Sequence, residues 1–290
     1  METTCPLCKN RLRVREVGGG FAKSQDSDLL IRMQGRHVIQ AEIHTCLRCR
    51  FSGTTEDFTS RTVPAERIKR YFSDVLPRLS DHPETDSAVL GLRRPGAGGD
   101  SRPSNTRRRK LRHISRTPLP HVQYYWAALV GPTLGLAPTE IGLHFVRAYW
   151  CLRLAPAADL AETLLKPLRK VFLRGAIRHL RQGLRNEKNR ALVYLIAELC
   201  RRNDYFGLAN HYFERFLYKE KHVPSYLKRA ARRLFVASRN GDSQEKSMED
   251  VLYAPEDPVD PESLQAGRPG RPAEYEDGSW DWPPDDGDGE

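Results

Sequence analysis

A chain of 290 residues with a formal charge of +10, 39% hydrophobic residues and a mean hydropathy of −0.61 has room for two modest domains and a core, with polar appendages. No run approaches the roughly 20 apolar residues that cross a bilayer, and Met1-Glu2-Thr3-Thr4 leads straight into a cysteine pair. Neither a membrane span nor a signal peptide is therefore expected, and the cytoplasm is the expected compartment.

Charge is unevenly spread. Lys and Arg outnumber Asp and Glu by 23 over residues 1–240, while the acids lead by 13 over 241–290. A basic body with an acidic tail points to a nucleic-acid surface, or to a tail that folds back and screens the body.

The first informative stretch is Cys5-Pro6-Leu7-Cys8, with a distant partner in Cys46-Leu47-Arg48-Cys49. Each pair offers two thiolates from a tight turn, and two such turns meet the four-coordinate demand of a structural zinc ion. A rubredoxin-like iron site uses the same four ligands. With all four positions filled by sulfur, no place is left for a catalytic water, so the expected role is folding. Cys151 and Cys200 lie alone in apolar helical patterns and read as buried small hydrophobes.

Residues 11–17 alternate polar and apolar, as do 38–44, which predicts a ribbon of knuckle, strand, return strand and knuckle. Gly18-Gly19-Gly20 ends the first strand, and an excursion over 18–37 carries Asp26-Ser27-Asp28. Asp26 and Asp28 read as loop carboxylates with no evident acid or base partner. His37 and His44 read as exposed strand residues.

Together, Cys-Pro-x-Cys at 5–8, the strand at Val14-Arg15, Asp26-Ser27-Asp28, and Cys46 to Cys49 followed by Phe51 and Asp57-Phe58 resemble a bacterial family known as domain of unknown function 2225. The likeness covers about Cys5 to Phe58 and resumes over about Gln123 to Ala237. It implies a zinc-ribbon-like module joined to helices similar to tetratricopeptide repeats, and it brings no established activity. Lys9 and Arg50 stand where that family usually carries glycine, the residue that tolerates left-handed backbone.

Pro64 opens a helix through Leu76 with Ile68, Phe72 and Val75 on one face. Residues 80–118 turn to Pro, Gly, Ser and Arg and read as a disordered basic linker. Helices are then expected over 123–129, stopped at Gly131-Pro132; over 138–154 with Ile141, Phe145, Tyr149 and Leu152 buried; and from Asp159 to 184, kinked at Pro167, with Leu173, Ile177, Leu180 and Leu184 buried. Three more follow: 191–202, 204–218 and 224–238. The pair 191–218 resembles a tetratricopeptide unit through Ala197, Ala209 and Phe213. From Gly241 the composition reads as a disordered acidic tail carrying Trp280 and Trp282.

The expected fold is α+β: a small amino-terminal zinc ribbon (1–58), a connecting helix (62–79), a disordered linker (80–118), an all-α helical-hairpin, tetratricopeptide-like domain (119–240) and a disordered tail (241–290). Metal ligands are Cys5, Cys8, Cys46 and Cys49. Lys170, Arg174, Arg178, Arg181 and Arg185 share one helical stripe and form a candidate polyanion-binding face, with Arg201, Arg202, Lys228, Arg229, Arg232 and Arg233 adding charge from neighbouring helices. No phosphate-cradling glycine loop, nucleophile elbow or paired helical histidines is present, so no enzyme is expected. The expected function is a zinc-binding scaffold for a protein partner. The alternative is a nucleic-acid-associated protein that ignores sequence, and no membrane role is expected.

Overall fold

The computed structural model describes residues 2–14, 21–34, 37–81, 118–155, 162–185, 189–220 and 223–253. Residues 1–252 form one unit and 253–290 a second.

Three short antiparallel hairpins open the chain. Strand β1 (Glu2–Thr4) pairs with β2 (Arg11–Arg13), Thr4 lying opposite Arg11. Strand β3 (Phe21–Gln25) pairs with β4 (Ile31–Gln34). Strand β5 (Ile43–Thr45) pairs with β6 (Ser52–Thr54). The expected pairing of 11–17 with 38–44 is thus replaced. Each Cys-x-x-Cys turn reverses the chain by itself, so its two flanks pair with one another and each knuckle tops its own hairpin.

Val38–Glu42, expected as strand, is the short helix α1. The strand paired with β5, β6, is three residues long and is cut off by a capping box. Thr54 accepts from the Asp57 amide, and Asp57 accepts from the Thr54 amide at 2.8 Å, opening α2 (Thr55–Thr59). Pairing therefore begins only at Ile43. His44 lies on β5 but is buried, its Nε2 3.0 Å from the Thr55 hydroxyl.

Helix α3 (Ala65–Arg70) runs through a π-helical turn (Tyr71–Val75) into α4 (Leu76–Asp81). The wider turn rotates the face away from the 3.6-residue pattern: Tyr71 is buried, and Phe72, expected inside, is 39% exposed.

Helix α5 (Pro120–Leu134) extends past Gly131-Pro132, the expected stop. Pro132 sits in the last turn, and the end is made instead by Gly135 at φ 74°, with the Leu136 amide on the Gly131 carbonyl at 3.0 Å and the Gly135 amide on the Pro132 carbonyl at 3.1 Å. Helix α6 (Pro138–Arg153) and α7 (Glu162–Leu184) pack antiparallel. Thr139 meets Gly183, Gly142 meets Leu180 and Phe145 meets Gly175, each so closely that a methyl on the glycine would collide. The apolar stripes expected on these helices, Ile141 through Leu152 and Leu173 through Leu184, are buried. Pro167 lies inside α7, and the expected cap at Asp159 is outside the described residues.

Helix α8 (Arg190–Arg202) is buried from Leu192 onward, Glu198, Arg201 and Arg202 included. It turns through Asn203 to Tyr205 into α9 (Phe206–Glu214), a second π-helical turn (Arg215–Lys219) and α10 (Ser225–Arg239). Tyr194 and Phe216 meet at 5.4 Å between ring centres, and Ala197, Ala209 and Phe213 are fully buried. The fold is α+β, with mostly helices after the cysteine hairpins.

The chain stays ordered beyond 241, where composition indicates disorder. Residues 242–247 run as a strap into α11 (Met248–Tyr253), with Met248 and Val251 buried. Linker residues 82–117 and tail residues 254–290, with Trp280 and Trp282, lie outside the described residues. Among the described residues, no helix is long and apolar enough to cross a membrane.

Candidate metal centre

The two knuckles have the same backbone. Cys5 N–H donates to the Asn10 carbonyl at 2.8 Å and Lys9 N–H to the Cys5 carbonyl at 3.0 Å. Cys46 N–H donates to Phe51 at 2.8 Å and Arg50 N–H to Cys46 at 2.7 Å. Lys9 and Arg50 take φ of 58° and 59°, the left-handed conformation that glycine accepts more cheaply. The turn demanded at both positions is therefore met without glycine. Lys9 compensates by donating its ammonium to the Pro6 carbonyl at 3.2 Å. Arg50 donates to the Leu79 carbonyl at 3.3 Å and lies 5.7 Å from the centre of the Trp126 ring.

These turns bring Cys5, Cys8, Cys46 and Cys49 together, with all four sulfurs within 4.8 Å of one another. Cys5 and Cys49 approach to 3.5 Å, as do Cys8 and Cys46, and none is in a disulfide. A tetrahedron with metal–sulfur bonds of about 2.3 Å has edges of about 3.8 Å, inside this spread. Cys5, Cys46 and Cys49 are buried. Packed so tightly, the four sulfurs cannot all be ionised without a cation. Cys46, held by the Cys49 and Cys5 thiols, is pulled down to about 2. Cys5, whose proton Cys46 holds, is pushed up to about 12, and Cys49 is pushed up for the same reason. A divalent ion removes that conflict and releases protons on binding. The residues fit a metal ion.

A supporting shell ties the centre inward. The buried Tyr71 hydroxyl donates to the Cys49 carbonyl at 2.6 Å. Burial, followed by the neighbouring cysteines, pushes its phenol well above its ordinary range. Phe51 and Phe58 meet at 4.9 Å beneath the second knuckle.

Next in the chain, the loop between β3 and β4 enters the helical part. The side chains of Asp26, Ser27 and Asp28 are buried. Arg153 from α6 donates to Asp26 at 2.6 Å and to Asp28 at 2.8 Å, and its Nε is 2.9 Å from Glu245 in the strap. Trp150 donates to Asp28 at 3.0 Å, and Arg202 lies 3.2 Å from it. Ser27 donates to Glu198 at 2.6 Å and accepts from Arg202 at 2.9 Å, while Tyr194 donates to the Ser27 carbonyl at 2.8 Å. Arg201 grips Glu198 at 2.7 Å and reaches the strap carbonyls of Asp242 and Gln244. The strap answers with the Lys246 carbonyl on the Ser27 amide at 3.0 Å.

Burial alone raises the Glu198 carboxyl, but the hydrogen bond from Arg201 and the charges of Arg202 and Arg201 hold it below its usual range. Burial would lower Arg202, yet Asp28 and then Glu198 hold it well above. This is a fully paired ionic junction between the amino-terminal hairpins, α6, α8 and the strap.

Asp26 and Asp28 therefore have partners: Arg32 nearby in the chain, and Trp150, Arg153 and Arg202 far from it in sequence. Arg201 and Arg202, expected on a basic surface, are instead inside, because Glu198 three and four residues earlier draws both guanidinium groups into the core. Arg153 and Glu198 carried one readable signal: a carboxylate in the otherwise apolar run 191–200, which predicts a buried cation. Cys151 and Cys200 are buried thiols pushed above their usual range by that burial, as small hydrophobes.

Of the candidate polyanion residues, Lys170, Arg174, Arg178 and Arg181 lie on α7 and Arg185 follows its last residue. Lys170, Arg178 and Arg185 are exposed, while Arg174 and Arg181 are half-buried and donate to Tyr205 at 3.0 Å and Tyr212 at 3.2 Å. On α10, Arg229 and Arg232 are exposed, Lys228 is half-buried, and Arg233 donates to the Val251 carbonyl at 2.6 Å.

No curated protein and no solved structure matches the chain. Residues 1–86, which hold all four cysteines of the centre, match the model of the family described as "Uncharacterized protein conserved in bacteria (DUF2225)".

Proposed function

We propose that this chain is a non-catalytic zinc protein of the cytoplasm, in which the metal staples the amino-terminal hairpins and the helices serve as a scaffold for a protein partner. The observation that carries the metal half is the closure of the ligand set: four cysteine sulfurs within 4.8 Å, three of the residues buried. A tetrahedral thiolate ion in such a set has no position for substrate or water and contributes folding free energy. Four thiolates favour zinc, with iron the alternative that the same ligands accept.

The scaffold half rests on the order of the helices. Arg174 reaches Tyr205 and Arg181 reaches Tyr212, both offset by 31 residues, so α7 and α9 lie side by side and run in the same direction. Alternate helices in parallel contact are what a stack of helical hairpins produces, and the α8–α9 pair is its tetratricopeptide-like unit. Such stacks present extended surfaces to peptides. Tyr218 and Tyr226, both exposed near the turn between α9 and α10, are aromatic side chains of the kind that anchor protein interfaces.

Affinity purification of the intact chain, with metal analysis and quantitative mass spectrometry, tests both halves. The reading predicts about one zinc per chain and a defined protein recovered with it. Tyr218→Ala/Tyr226→Ala should lose that protein and keep the zinc. Recovery unchanged by this variant would overturn the scaffold surface.

A further inference from the structure

Residues 165–185, all but the last within α7, carry seven cations and no carboxylate: Lys166, Arg169, Lys170, Arg174, Arg178, Arg181 and Arg185. Lys170, Arg174, Arg181 and Arg185 have no ion-pair partner among the described residues. Other cations of the fold are neutralised by acids, among them Arg153, Arg201 and Arg202 by buried carboxylates and Arg190 and Arg215 by Glu220 at 3.7 Å.

Two of these cations are oriented without being neutralised. Arg174 and Arg181 each use Nε to donate to a phenol, Tyr205 at 3.0 Å and Tyr212 at 3.2 Å. A hydroxyl partner fixes the plane of the guanidinium but leaves its full charge, and this grip leaves the two terminal nitrogens for an incoming anion. That edge is the one that binds a phosphate through paired hydrogen bonds. The two are seven residues apart, two helical turns or about 10.5 Å, with exposed Arg178 between them. Lys170 and Arg185 extend the line to about 22 Å. The positive field reaches α9 as well: His211 is held below its ordinary range by burial, then by Lys219, Arg215 and Arg181.

From this arrangement we infer that the α7–α9 face binds the phosphate backbone of a nucleic acid, with Arg174 and Arg181 as its oriented contacts and Lys170, Arg178 and Arg185 as its electrostatic track. A backbone presents phosphates at a regular interval, which suits a straight, evenly spaced stripe. An acidic peptide offers carboxylates at irregular spacing and no such register. Nothing on the face reads base edges, so binding is independent of sequence. The inference does not depend on the scaffold reading, since Tyr218 and Tyr226 are not used by it.

The test is fluorescence anisotropy of the zinc-loaded full chain with a labelled 20-nucleotide single-stranded DNA and with the matching duplex, across 50–300 mM salt. About four phosphate contacts give a slope of log K against log salt near −3 for the single strand, steeper for the duplex. Arg174→Gln/Arg181→Gln should flatten the single-strand slope by about 1.4 and weaken binding about tenfold at low salt. Tyr205→Phe/Tyr212→Phe keeps every charge, so affinity should fall about threefold or more with the slope unchanged, which loss of charge would not mimic. Lys170→Gln/Arg185→Gln, at exposed positions outside the packing, should flatten the slope with no change in circular dichroism. Absence of salt-dependent binding to either DNA, or slopes untouched by both charge variants, would overturn the inference. Labelled poly-glutamate bound as tightly as DNA would overturn it in favour of an acidic protein partner.

Discussion

Arg153 Nη1 lies 2.8 Å from Asp28 Oδ2, and the two side chains are 2% and 0% exposed. They come from a hairpin loop and the last turn of α6, and 125 residues separate them. Removing Asp28 leaves Arg153 and Arg202 facing one another in a dry interior. Asp28→Asn should destabilise the protein by about 3–5 kcal/mol in urea unfolding. Arg32→Gln removes a cation that also pairs with Asp26, but from a 38% exposed position, and should cost less than about 1 kcal/mol. Equal effects would mean that the junction is not desolvated as described.

The knuckle backbones make opposite predictions for two similar substitutions. Lys9→Gly relieves a left-handed residue whose side chain makes one long hydrogen bond, and should slow metal loss to a chelator with a gain of about 1 kcal/mol. Arg50→Gly relieves the same strain but forfeits the Leu79 carbonyl and the Trp126 ring, so it should gain nothing or destabilise. Chelator-challenge kinetics with a chromogenic zinc indicator separate the two. A gain for both would show that the Arg50 contacts contribute nothing.

Acid should unfold the helical part through two neutral histidines. Burial holds His121 and His144 down at about 4, against 6.5 when unfolded. Both are uncharged in the fold, and below 6.5 the unfolded chain takes up protons that the fold refuses. Their stabilisation is complete above about pH 6.5 and is lost as pH falls towards 4. The loss is about 2 kcal/mol per histidine by pH 5. His144→Gln should lower stability at pH 7, yet flatten the fall between pH 7 and 5 by about 2 kcal/mol relative to the parent, with zinc content followed in parallel. An unchanged slope would reject His144 as a contributor.

Much of this was legible from residue spacing, where the cause is local. The Cys-x-x-Cys turns, the apolar stripes of α6 and α7, and the start of α10 after Pro224 follow from rules that act within one or two turns of chain. What spacing hid depends on partners far away. Val38–Glu42 alternates like a strand, but whether it pairs is decided by the length of β6. Phe72 sits at a helical interval from Ile68, but a π turn shifts the buried position to Tyr71. Arg201 and Arg202 look like any exposed basic pair until Glu198 and the loop at Asp28 are placed against them. The strap at 242–253 is polar in composition and is ordered because Arg201, Ser27 and Arg233 take its carbonyls.

X-ray absorption at the zinc edge, on intact protein whose metal content has been measured, addresses the centre most directly. One zinc per chain surrounded by four sulfurs at about 2.3 Å, and no nitrogen or oxygen neighbour, is the predicted result. A folded protein purified without metal, or a zinc shell holding a nitrogen or oxygen ligand, would contradict the closed tetrathiolate centre.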